Sequence, residues 1–223
     1  MTRLWKLAFV VVLALPCSSQ ASEAAEAAHA RTPAAILQDL KEGNARFVSG
    51  KATRPHATPK RVKELVSAQH PEAIVLGCSD SRVPPEVIFD EGLGDLFVVR
   101  VAGNVSEPAT LGSIEYAAEH LHVPLVVVLG HHKCGAVKAA TEANGEVEGN
   151  VGAIIKEIQP AVATARSHPG KEGLVDDAVH ANVALVARQL VEESPIVKKL
   201  VAEGKVKVVT AVYDLGTGTI DWQ

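Results

Sequence analysis

The sequence of 223 residues is poor in the features that define several protein classes. It has three cysteines, one of them in the first twenty residues, so a small scaffold stapled by disulfides is excluded. Aromatic residues make up 4% of the chain, and lysine plus arginine are outnumbered by acidic residues, with a net charge of −4. No basic stripe with interleaved aromatics is present, and nucleic acid is therefore not an expected partner. Long apolar runs are missing as well. The longest greasy stretch near the start, Leu7 to Leu15, is too short for a stable membrane anchor. Apolar residues, mainly alanine and valine, still account for 47% of the chain. That is enough to build a buried core in one domain.

Arg3 and Lys6 precede Leu7 to Leu15, Pro16 ends that run, and Ser19-Gln20-Ala21 supplies small residues at a cleavage position. A charged start, a short apolar segment and a small-residue exit form a secretory signal. Residues 1–21 are expected to be a signal peptide and the mature chain to be secreted, into the periplasm if the source is Gram-negative. Residues 22–223 are expected to form a single domain.

Periodicity predicts an amphipathic helix at 34–48, a polar loop at 49–59 and a short helix from Pro59 to Ala68, together an N-terminal arm over about 34–68. Three brief apolar runs follow: Ala73 to Gly77, Leu96 to Val101 and Leu125 to Gly130. Helical spacing returns at 109–121, 134–142, 151–166, 174–191 and after Pro195. A strand is expected at 206–213 with a hairpin partner at 219–222. Short apolar strands alternating with helices indicate an α/β protein whose mostly parallel sheet is covered by helices.

Two motifs carry chemistry. Cys78-Ser79-Asp80-Ser81-Arg82 follows the first strand, and His131-His132-Lys133-Cys134-Gly135 follows the third. In open parallel sheets, ligands gather beyond the carboxyl ends of the strands, so both motifs belong to one edge. Two thiols and one imidazole form a soft set suited to tetrahedral zinc, with a fourth position left open for chemistry. Asp80 and Arg82 can meet in a two-pronged pair beside such an ion. A carboxylate held this way can accept a hydrogen bond from zinc-bound hydroxide. The bland alternatives are a Cys78–Cys134 disulfide in a redox protein and a structural ion pair; the neighbouring His131 and Asp80 favour the metal.

The run Cys-Ser-Asp-Ser-Arg-Val-Pro at 78–84, joined to Gly-His-x-x-Cys-Gly at 130–135, closely resembles the β-carbonic anhydrases, over roughly residue 34 to the end. The resemblance implies one zinc ion on Cys78, His131 and Cys134, and Asp80 with Arg82 as the catalytic dyad. It also implies that Asp80 can become a fourth ligand in a closed state. Gln69, Phe97, Tyr116 and Gly135 match substrate-binding positions, Gln69 reaching across a dimer. The implied reaction is reversible hydration of carbon dioxide to bicarbonate and a proton, carried out by a homodimer or a tetramer of dimers. Carbon disulfide hydrolysis on the same scaffold is the neighbouring alternative. Val75 stands where some bacterial members carry a tryptophan that helps form an inhibitory bicarbonate site.

Overall fold

A computed structural model describes residues 31–223 except 146, 169 and 171. The expected signal peptide lies outside the described residues. Residues Thr32–Gln223 form one compact unit.

The elements run α1 (Pro33–Val48), α2 (Pro59–Glu64), β1 (Ala73–Gly77), α3 (Pro85–Ile88), β2 (Leu96–Arg100) and a 3₁₀ turn (Ala102–Asn104). They continue with α4 (Pro108–His120), β3 (Leu125–His131), α5 (Gly135–Glu142), α6 (Val151–Ser167), α7 (Leu174–Glu193), α8 (Pro195–Ala202), β4 (Lys207–Tyr213) and β5 (Ile220–Trp222). Every strand expected from the sequence is present. The short α3 and the 3₁₀ turn were not expected, because four and three residues are too few to show a helical period. The helix from Pro59 stops at Glu64 rather than Ala68, with the N–H of Leu65 closing the last turn on the Arg61 carbonyl.

Several helices start at proline preceded by a capping side chain. Thr32 accepts from the N–H of Ala35, Thr58 from Arg61 and Ser194 from Val197. Proline has no N–H to lose at this position and its φ is already helical, so the Thr-Pro or Ser-Pro pair sets where the helix begins.

The sheet order is β2-β1-β3-β4-β5. The first four strands are parallel, and β5 returns antiparallel against β4. All residues of β1 and β3 are buried, which explains why they read as unbroken apolar runs rather than alternating ones. The strand period of two sends successive side chains to opposite faces. Ile74, Leu76, Val126 and Val128 join Ile114, Ile158, Val183 and Leu190 in one core. Val75, Leu125, Val127 and Leu129 pack with Ile36, Leu40, Ile88 and Phe89 in the other. Helix α1 seats so closely on the second face that a Cβ on Gly43 would lie 1.8 Å from the Phe89 carbonyl oxygen.

The segment after α1 is polar, yet it is fixed. The buried carboxylate of Asp90 accepts from Arg46 Nε at 2.6 Å, from the Thr53 N–H and hydroxyl at 3.0 Å each, and from the Arg54 N–H at 2.8 Å. Burial opposes its charge, but these donors prevail and hold its pKa at about 2. A lowered carboxylate stabilises the fold above its ordinary pKa, and that stabilisation is lost as pH falls through about 2. Asp90→Ala, which leaves several donors unpaired, is expected to lower the unfolding free energy near neutral pH by roughly 3 kcal/mol. Denaturant titration measures that loss, and limited proteolysis at residues 51–54 should show the released segment.

Candidate metal centre and active site

Strands β1 and β3 are parallel neighbours with Gly77 opposite Leu129. Cys78, one residue past β1, and His131, the last residue of β3, therefore emerge side by side at the carboxyl edge. Cys134 sits at the N-cap of α5 and returns to the same point. All three are buried, and one donor atom from each lies within 4.8 Å of the others. The two sulfurs are free thiols.

His131 Nδ1 is 3.0 Å from the carbonyl of His132, a contact that makes Nδ1 the protonated nitrogen. Its Nε2 is buried without a hydrogen-bond partner. A buried imidazole nitrogen with a free lone pair, facing two sulfurs, suits a soft cation and very little else. The N–H of Gly103 donates to Cys78 Sγ at 3.3 Å. The Cys134 hydrogen bond, with that of the Gly103 N–H, outweighs burial and draws the Cys78 thiol well down. The Cys134 thiol is pushed up, first as donor to Cys78 and then by burial. A divalent ion held here would keep both sulfurs as thiolates.

Asp80 lies at the mouth of this group, its Oδ2 3.8 Å from His131 Nε2. Arg82 donates to Asp80 Oδ1 from its backbone N–H and from Nε, both at 2.9 Å, and to Oδ2 from Nη2 at 2.7 Å. This fork holds the Asp80 carboxyl well below the usual carboxylate range, so it is an anion at any neutral pH. The pair expected from the sequence is thus formed, with both oxygens committed to arginine.

Three residues that sequence reasoning missed hold the loop in place. Arg100, ending β2 beside β1, donates from Nε to the Cys78 carbonyl at 2.9 Å and from Nη2 to the Asp80 carbonyl at 2.5 Å. Gly103 supplies the N–H on Cys78 from a left-handed conformation, φ 71°, and a Cβ there would meet Ile158 at 2.6 Å. Asn182, buried on α7, donates to the Gly103 carbonyl at 2.9 Å. The signal for Asn182 was one amide among Ala178, Val179, Val183 and Val186 on an otherwise apolar face.

The four substrate-binding candidates are more dispersed. Gly135 opens α5 directly after Cys134, exposed, with open space where a Cβ would point. Phe97 and Tyr116 meet each other, ring centroids 6.2 Å apart, beside the edge strand β2, and Tyr116 is exposed. Gln69 is exposed in the loop that enters β1 at the end opposite Cys78.

These features define an open, mostly parallel α/β protein with a soft Cys₂His group next to a carboxylate–guanidinium pair. A sequence profile described as carbonic anhydrase matches residues 73–220. A carbonic anhydrase of Mycolicibacterium smegmatis is 44% identical over 194 residues, covering 85% of this chain and 92% of its own. Carbonic anhydrase 2 of Mycobacterium tuberculosis is 42% identical over 191 residues, covering 83% and 90%. Among solved structures, a tetrameric β-carbonic anhydrase of Sordaria macrospora superposes with TM-score 0.66 at 26% identity, covering 81% of this chain and 93% of that one. The Coccomyxa β-carbonic anhydrase gives 0.64 at 28%, covering 81% and 83%. The chain belongs to the carbonic anhydrase family, in its β class.

Asn182→Ala leaves the Gly103 carbonyl without its partner in a buried setting. A loss of about 1–3 kcal/mol in unfolding free energy is expected, measurable by urea titration. Arg100→Leu frees two carbonyls of the Cys78–Asp80 loop and should lower kcat at least roughly tenfold, the scale of a displaced catalytic group.

Proposed function

We propose that the chain hydrates carbon dioxide reversibly to bicarbonate and a proton at one zinc ion held by Cys78 Sγ, His131 Nε2 and Cys134 Sγ. The observation that carries this reading is the unpartnered, buried Nε2 of His131 beside two thiols, with Asp80 at the mouth. Zinc in such a set supplies Lewis acidity, which brings the pKa of water near ~7 and makes hydroxide available at neutral pH.

The protein's residues do the positioning. The His132 carbonyl orients the His131 ring, and the Gly103 N–H steadies the charge on Cys78. Asp80, kept ionised by Arg82, accepts a hydrogen bond from the attacking water and directs its lone pair at the carbon. By holding both of its oxygens, Arg82 would also keep Asp80 from ligating an ion bound by Cys78, His131 and Cys134. The open arrangement is supported by the three donors from Arg82; closure, with Asp80 on the metal, would require giving them up. The Gly135 N–H faces the forming carboxylate oxygen, Phe97 and Tyr116 bound the pocket, and Gln69 binds bicarbonate in the site of a partner subunit. The proton then leaves through water or buffer.

Stopped-flow hydration of carbon dioxide, with zinc content, tests the reading on wild type and Asp80→Ala. Wild type should be active, and the variant should keep about one zinc per chain while kcat falls roughly 10²-fold or more. Wild-type protein with full zinc and no activity, at neutral and alkaline pH, would falsify it.

We also propose that the chain is exported on residues 1–21 and self-associates. Val62, Val66, Leu93 and Tyr116 are large apolar groups left exposed, Val66 by 82%. They flank the helical arm and the edge of the sheet and suit a partner copy better than water. Sedimentation should give a mass at least twice that of one chain.

A further inference from the structure

His132 has a role in the centre just described only through its carbonyl. Its side chain belongs to a second group. His132 Nε2 is 3.6 Å from Glu172 Oε2, and His180 Nε2 is 3.1 Å from the same oxygen. One donor atom from each of the three residues lies within 4.8 Å of the others. A tetrahedral zinc with bonds of about 2.0–2.2 Å separates neighbouring donors by roughly 3.3–3.6 Å, close to both gaps to Glu172.

Each donor comes from a different segment, and each segment is anchored. The N–H of His132 donates to the Tyr213 carbonyl at 2.9 Å, fixing the turn after β3 to the end of β4. His180 stands two turns into α7, and its Nδ1 is hydrogen-bonded to the side-chain amide of Gln223. Gln223 Nε2 donates there, so Nδ1 accepts and Nε2 carries the proton shared with Glu172; a cation would take that place once the proton moves to Nδ1 and the Gln223 amide turns its oxygen to it. Glu172 follows a loop seated on α7, where the Gly170 N–H donates to Asp177 Oδ2 at 2.9 Å. A Cβ on Gly170 would lie 2.3 Å from the other oxygen of Asp177. The side chains of His132, His180 and Glu172 are 21%, 25% and 48% exposed, and an open pocket of about 390 Å³ borders Glu172 and His180. An ion can therefore enter from solvent and keep water in its remaining positions.

We propose that His132, Glu172 and His180 form a second, solvent-accessible site for a divalent transition-metal ion, with zinc as its physiological-type occupant. Two imidazoles and one carboxylate are a borderline set suited to zinc, copper(II) or nickel(II) rather than calcium or magnesium. Lacking thiolates, it binds more weakly and exchanges faster than the buried Cys₂His group.

Zinc binding to the purified holoenzyme by calorimetry and equilibrium dialysis tests the proposal. Wild type should take up a second, exchangeable equivalent per chain. Glu172→Gln and His180→Ala should each lose that equivalent while retaining the tightly held one, and Gln223→Ala should weaken it by roughly tenfold. Wild type that binds no exchangeable zinc at micromolar free metal would mean that the cluster is only an ion pair, and the proposal falls. It falls equally if both variants still bind the exchangeable equivalent. Loss of the tight equivalent alone, by contrast, would strike the reading of the Cys78 group and leave this one standing.

Discussion

The parallel pairing of β1 with β3 is the constraint on which the site depends. It sets Gly77 against Leu129, and so brings a cysteine that follows one strand alongside a histidine that ends the other. Both strands are buried on both faces, so a slip of register would push apolar side chains out of two cores at once. The geometry of the donors is therefore enforced by hydrophobic burial far larger than any single hydrogen bond at the site.

Burying polar groups at that edge has a cost, and the surrounding residues show how it is offset. Arg100 covers the carbonyls of Cys78 and Asp80, Asn182 covers that of Gly103, and the His132 carbonyl occupies His131 Nδ1. Four buried side-chain atoms stay unpaired among the described residues: His131 Nε2, Asn182 Oδ1, Asn104 Nδ2 and Ser106 Oγ. Of these, only the His131 nitrogen faces two thiols, the arrangement that a soft cation would complete.

Much of this was legible in the sequence because it is local. Cys78, Asp80 and Arg82 are a few residues apart, as are His131 and Cys134, and unbroken apolar runs told that each motif ends a strand. Arg100, Gly103 and Asn182 were illegible because their meaning is non-local: an arginine ending a strand and an asparagine on a helix acquire partners only when the sheet order is known. The second cluster was hidden for the same reason. His132 is 40 residues from Glu172, and only the packing of α7 against β3 and β4 brings them together. Phe97 and Tyr116, read from the sequence as pocket residues, meet each other at the edge strand β2, a contact that sequence spacing does not reveal.

Strand order also fixes when the enzyme can be finished. β4 pairs with β3 over seven consecutive residues, and Tyr213 supplies the acceptor that holds His132. Since β4 follows β3 only after four intervening helices, a growing chain carries β3 with one edge open until Tyr213 has been made. The turn after β3 thus gains its anchor only once β4 has docked. A chain cut before Tyr213 would keep all three donors and lose the frame that points them.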